Sequence, residues 1–286
     1  MHTYKIKKLP KNTVEIEINI PNDLIKKEKH EALVRLQKNL VVEGFRKGKV
    51  PLSIAEKHLS ADTIYQEMLK VLLSKIYEEV VKKESLKPIA NPKVDLLKAK
   101  EGEDWLIKIT LAEKPEVNLG EYKKKVKDLK ANTKKADIWV PGKDKEVKKD
   151  EDNSKLLNQI LEAVLNEAKV EIPDLIIEDE LNYRLSRLVD DIQKLGMTTD
   201  AYLKSKNLTM EQLKENFRKE IEDTYKLEFI LTEIADKENI KVEKADLDKL
   251  FDNIKDEKER QQAYENSYFY ASIIRKQKTI DFLLNL

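Results

Sequence analysis

Residues 43–51 read EGFRKGKVP, and two of the chain's six glycines fall inside this one nonapeptide. Gly44 and Gly48 bracket a ring, Phe45, and two cations, Arg46 and Lys47. Glycine reaches positive φ without a Cβ penalty, so the pair lets the backbone reverse abruptly. Loop physics alone leaves two arrangements open. In one, Phe45 tucks into a core and the cations are merely solvated. In the other, the turn presents Arg46 and Lys47 outward, with Lys49 in support, on a platform held by two helices. A basic tip with one aromatic can pair with carboxylates or phosphates and insert its ring into a pocket.

Upstream, Thr13–Ile20 (TVEIEINI) alternates strictly. Val14, Ile16, Ile18 and Ile20 share one face, so the stretch is a half-buried strand with one wet side. Pro21, Asn22 and Asp23 stop it and open a helix expected to reach about Val41, with Leu33, Leu36 and Leu40 inward. Downstream, Pro51 suits the first turn of a short helix over about 51–59. A longer helix follows over 62–83, with Ile64, Met68, Leu72, Ile76 and Val80 recurring every four residues. Two strands are expected near 93–99 and 104–112, joined by a turn at Glu101–Asp104. The first domain is therefore a small α+β unit: a short antiparallel sheet with helices inserted after its first strand.

Beyond Pro115 the chain becomes lysine-rich and weakly apolar up to about Asn153, which reads as a connector. Trp139 and Val140 are its notable apolar spot, read as a local anchor. From Ser154 onward the pattern is helical. Pro173 and Gly196 bound one amphipathic helix. Thr209 and Gln212 form a capping-box pattern that opens a long helix to about Lys237, and two or three helices complete the chain.

The composition narrows the function. The 286 residues are 38% charged, yet the net charge is +1, so no global field draws the chain to nucleic acid or membrane. There is no cysteine, which excludes disulfides, thiolate nucleophiles and Cys-based zinc sites. The start MHTYKIKKLP has no apolar core, so no secretory leader is expected. No apolar run approaches the roughly 18 residues of a membrane span, and a cytoplasmic location is expected. His2, His30 and His58 form no ligand-spaced cluster. Glycine-rich nucleotide loops and nucleophile elbows are absent. The abundant carboxylates sit among lysines at helical spacing, as solvated pairs do. Catalytic residues, metal ligands and cofactors are therefore all expected to be none.

The octapeptide Gly44–Pro51 (GFRKGKVP) resembles the ribosome-docking signature of the bacterial trigger factor family. The preceding strand and helix, the stretch AEKPEVNLGEYKKKVKD, the helical run from LLNQILEAVLNEA onward and the closing TIDFLLNL are similar to that family in the same order. The resemblance covers roughly residues 1–125 and 154–286. It implies an α+β ribosome-binding domain over 1–115 and a linker over 116–153. Over 154–286 it implies an elongated all-α chaperone domain with arm-like helices. It also implies an ATP-independent chaperone that docks at the ribosomal tunnel exit through residues 44–51 and shields nascent or unfolded polypeptides. Phe45, Arg46 and Lys47 are the docking positions, Lys49 supports them, and Gly44 and Gly48 shape the loop. Implied partners are a tunnel-exit ribosomal protein, adjacent rRNA and unfolded chains, with no membrane; a homodimer is left open.

One departure stands out. The family normally carries an FKBP-like peptidyl-prolyl isomerase domain between these parts. Such a domain needs on the order of a hundred residues, and residues 126–153 cannot supply them. No isomerase activity is expected. Candidate client strips lie on the helices over 175–195, 213–231 and 273–284, with ordinary core packing as the alternative for each residue. Three rival functions remain: a ribosome-independent holdase, a prolyl isomerase and an RNA-binding adaptor.

Overall fold

The computed structural model describes residues 2–136, 149–252, 254 and 256–286, without the side chains of 132–136 and 149–154. The chain divides into two compact units, Met1–Lys114 and Pro115–Leu286.

The first unit is built on four antiparallel strands: β1 (Thr3–Leu9), β2 (Thr13–Ile20), β3 (Lys93–Lys98) and β4 (Trp105–Ala112), in the order β1-β2-β4-β3. The alternation of β2 meets the alternation of β4 in register. Val14 pairs with Leu111, Ile16 with Ile109, Ile18 with Ile107, and Ile20 with Trp105. All eight are buried, which is what a one-residue slip would destroy. The outer face carries Glu15 and Asp95 on either side of Lys108, at 3.9 and 3.7 Å.

The helices α1 (Asn22–Gln37), α2 (Leu52–His58) and α3 (Ala61–Lys83) are inserted between β2 and β3. The expected α3 stripe is buried in full, at Ile64, Met68, Leu72, Ile76 and Val80, and it joins Ile25, Ala32 and Leu33 of α1 in one core with the sheet. Ser60 caps α3, its Oγ accepting from the Thr63 N–H at 3.1 Å.

Sequence reasoning did not find β1. Only Tyr4 and Ile6 of this edge strand pack half-buried on the core, and Lys5, Lys7 and Lys8 dilute the alternation. Its turn into β2 places Lys11 and Asn12 at φ 56° and 49°. A lysine in that region is not a turn signal.

The second unit is helical: α4 (Tyr122–Ala136), α5 (Lys149–Glu167), α6 (Asp174–Lys194), α7 (Thr199–Lys206), α8 (Met210–Lys237), α9 (Lys244–Phe251), α10 (Glu257–Glu265) and α11 (Ser267–Asn285). The capping box at Thr209 and Gln212 is present with both bonds made. One core gathers Leu119, Tyr122 and Val126 with Ile160 and Val164 of α5, Ile230, Leu231 and Ile234 of α8, and Leu283 of α11.

The stretch expected as a connector thus contributes α4 and the start of α5. Its apolar positions Tyr122, Val126 and Leu129 do follow a helical period, but lysines surround them. Trp139 and Val140 lie outside the described residues. Just before α4, Asn118 and Lys169 exchange backbone hydrogen bonds of 2.9 and 2.8 Å.

Tyr122 anchors this start. Its hydroxyl donates to Glu238 Oε1 at 2.8 Å, at the end of α8, and Lys123 Nζ lies 2.7 Å from the same carboxylate. Burial, reinforced by the Glu238 contact, pushes the Tyr122 phenol well up. The Lys123 hydrogen bond holds the Glu238 carboxyl below its ordinary value.

A carboxylate whose pKa is depressed on folding stabilises the native state at neutral pH, and that contribution is lost as pH falls through the depressed value. Lys123→Met should therefore lower stability more at pH 7 than at pH 3, read by urea unfolding at both. Tyr122→Phe should cost about 1–2 kcal/mol at pH 7 in the same measurement.

Candidate functional site

In the first unit, α1 stops at Gln37, four residues short of the expected Val41. The chain then makes tighter three-residue turns, with Asn39 N–H donating to Leu36 O and Leu40 N–H to Gln37 O, both at 3.1 Å. Two further turns follow in succession. The Phe45 N–H donates to Val42 O at 3.1 Å, and the Lys49 N–H donates to Arg46 O at 2.9 Å. In each, the third residue is the glycine: Gly44 at φ 84° and Gly48 at φ 75°. That is the arrangement of a type II turn, which needs positive φ at this place.

The two glycines differ in their surroundings. A Cβ on Gly44 would meet nothing within 4 Å, whereas one on Gly48 would lie 3.0 Å from the Lys38 carbonyl oxygen. Gln37 Nε2 donates to Val50 O at 2.6 Å, and the Val50 side chain is fully buried in the sheet–helix core. The far end of the loop is thereby pinned to the end of α1 before Pro51 opens α2.

The tip is left outward. Arg46, Lys47 and Lys49 are exposed, and their side chains make no ion pair among the described residues. Phe45 is 39% exposed rather than tucked into the core. Of the two arrangements that loop physics allowed, the outward one is found. Sequence reasoning missed the brace supplied by Gln37 and Val50, because no spacing marks a glutamine that reaches thirteen residues ahead.

In the second unit, the expected strips are mostly core. Ile177, Leu181 and Ile192 of α6 are buried, as are Leu213, Ile221, Ile230 and Leu231 of α8 and Leu283 of α11. Leu195, the last residue of the 175–195 strip, is instead 74% exposed just past the helix end.

Apolar surface is also open where α8 and the start of α11 meet. A groove of about 470 Å³ runs between α8 and α11, lined by Leu231, Ala235, Val242 and Ala271. A pair between Lys276 Nζ and Glu228 Oε1, at 2.6 Å, lies in its wall. Tyr268 lines the groove and is 90% exposed, and Phe269 and Ile273 are exposed near it on α11. Phe251 of α9 takes Tyr264 and Tyr270 edge-on, with ring centroids at 4.7 and 5.2 Å. Of three consecutive aromatics, 268–270, Tyr270 is therefore the one drawn inward. The sequence does carry that signal, since three adjacent residues of a helix cannot share one buried face.

Among the described residues, no helix is long and apolar enough to cross a membrane.

A four-stranded antiparallel sheet with inserted helices, followed by a helical unit, defines the class. A family model described as bacterial trigger factor protein matches residues 2–153, and a second, described as its C-terminus, matches residues 140–285. The chain belongs to the bacterial trigger factor family. The two matches overlap, so no insertion of domain size lies between them.

The trigger factor of Pediococcus pentosaceus is 36% identical over 167 residues, and that of Streptococcus pneumoniae 32% over 164. These stretches cover 58% and 57% of this chain but 36% of either relative, so the alignment spans about a third of the length of the curated relatives it matches. A solved structure reporting promiscuous substrate recognition in folding and assembly by the trigger factor chaperone covers 98% of this chain and 99% of its own, with a TM-score of 0.63 at 15% identity. At that identity the likeness speaks for the fold alone.

Gly48→Ala should destabilise the first unit by about 1–3 kcal/mol, because alanine is strained at positive φ and its methyl meets the Lys38 carbonyl. Gly44→Ala carries the strain without the clash and should cost less. Thermal unfolding of the two variants checks the ranking.

Proposed function

We propose that this protein is an ATP-independent chaperone that docks on the ribosome through residues 44–51 and holds unfolded or nascent chains on its helical unit. The carrying observation is the loop itself. Phe45, Arg46, Lys47 and Lys49 stand outward on two glycine turns, braced by Gln37 and Val50, in a chain of the trigger factor family. Arg46 is the charge-assisted anchor for ribosomal carboxylate or phosphate. Phe45 offers a ring to a pocket, and Lys47 and Lys49 add sequence-independent attraction. On this reading the working units are 1–115 and 154–286, the segment 116–153 replaces the isomerase domain, and the protein works in the cytoplasm.

Replacing Phe45, Arg46 and Lys47 together by alanine should abolish co-sedimentation with ribosomes while leaving the circular dichroism spectrum and unfolding midpoint unchanged. Survival of ribosome binding in that variant overturns the docking assignment.

The open groove favours a second element of the reading: polypeptide holding that does not itself require the ribosome. Tyr268 lines it and is exposed, as is Phe269 next along α11, and aromatic side chains offer large contact area at low entropic cost. Tyr268→Ser with Phe269→Ser should reduce suppression of aggregation of a denatured test protein several-fold, without altering ribosome co-sedimentation.

Isomerase activity forms no part of the proposal. The two family matches meet without an inserted domain, and a prolyl peptide assay should read the uncatalysed rate.

A further inference from the structure

The charge of this chain is unevenly placed. The whole carries +1, yet helix α4, Tyr122–Ala136, holds seven lysines against one aspartate. Three of those lysines are held within the second unit. Lys123 pairs with Glu238, Lys125 lies 3.8 Å from Glu167, and Lys130 Nζ donates to the Leu284 carbonyl at 2.6 Å. Lys124 and Lys127 are exposed and make no ion pair among the described residues. They sit one turn apart on the side that turns away from the core. Asp128 is the one acid of the helix.

The chemistry of this face selects its partner. The apolar side of α4 is already spent, since Tyr122 and Val126 are in the core and Leu129 packs against it. Among its described residues the helix therefore has no free large apolar side chain to sink into a lipid interface. It also lacks the buried anchor that a protein–protein hot spot needs. What its described part presents is Lys124 and Lys127, two flexible point charges beside Asp128, and such charges suit a phosphodiester backbone that is read by charge and not by sequence.

We infer that the solvent face of α4, through Lys124 and Lys127, is a phosphate-contacting surface for ribosomal RNA, separate from the 44–51 loop. The inference rests on the ribosome-docking reading for its setting, but it uses different residues in a different unit.

A titration of ribosomes with the full chain at a series of salt concentrations tests it. Each phosphate contact contributes about 0.7–0.9 to the slope of log affinity against log salt. Lys124→Gln with Lys127→Gln should flatten that slope by about 1.5 and weaken binding roughly tenfold at low salt, and Lys124→Arg with Lys127→Arg should bind as the parent does. An unchanged slope and affinity in the Gln pair overturns the inference, as does a parent chain that does not bind ribosomes. Loss of binding to vesicles containing phosphatidylglycerol, with ribosome binding intact, overturns it in favour of a lipid partner. If the loop triple-alanine variant still binds while the Gln pair is weakened, the docking assignment fails and this surface stands.

Discussion

The ladder between β2 and β4 is the constraint on which the first unit depends. It joins residues about ninety positions apart, such as Val14 to Leu111 and Ile16 to Ile109. Closing so long a loop costs conformational entropy that no local interaction can offset. The return comes from burial of four apolar residues on each strand and of the helices laid over them. Until that ladder forms, α1 and α3 have no surface to cover. The turn that follows α1 then has no fixed end, because Val50 reaches its place only through the same core.

The second unit solves a comparable problem with a polar device. Tyr122 is buried among apolar side chains, and its hydroxyl needs a partner there. Glu238 supplies it, and Lys123 keeps that carboxylate charged. The contact ties residues 116 positions apart and locks the first helix of the unit against the end of its longest. A purely apolar contact at this point would not specify which turn of α8 meets which turn of α4. The phenol does, because among the described residues its hydroxyl bonds to Glu238 alone.

Most of the fold was legible where period and burial agreed. The β2 and β4 alternation, the α3 stripe and the Thr209 capping box are local patterns whose tertiary environments reinforce them. Failures came where one residue type masks another's signal. The lysines of β1 hid Tyr4 and Ile6, and the lysines of α4 hid Tyr122, Val126 and Leu129. The length of α1 was overread because Leu40 continues its spacing, although the helix ends at Gln37 and the chain goes on in tighter three-residue turns. At the loop, composition could show that the backbone turns twice but not which way Phe45 faces. That depends on the Gln37 brace and on Lys38 leaving no room at Gly48, which are contacts between residues without a shared period. At the groove, the aromatic run 268–270 was visible, but its outward members are decided by Phe251, seventeen or more residues away.

The exposed rings of Tyr268 and Phe269 set a scale for how firmly a polypeptide would be held on the proposed reading. Burying both rings removes about 300–500 Å² from water, worth roughly 7–12 kcal/mol at about 25 cal/mol per Å². Against this stand about 4–15 kcal/mol for lost translational and rotational freedom, and a further charge for ordering the bound segment. The difference is near zero for a single groove. Holding a chain therefore requires several such contacts at once, and loss of any one lets the rest go. If the chain holds polypeptides as proposed, that would be a sufficient physical basis for release without a nucleotide. On the proposed chaperone reading, a client that folds would withdraw its apolar side chains one by one, each withdrawal weakening the remaining attachment until thermal motion completes the exchange.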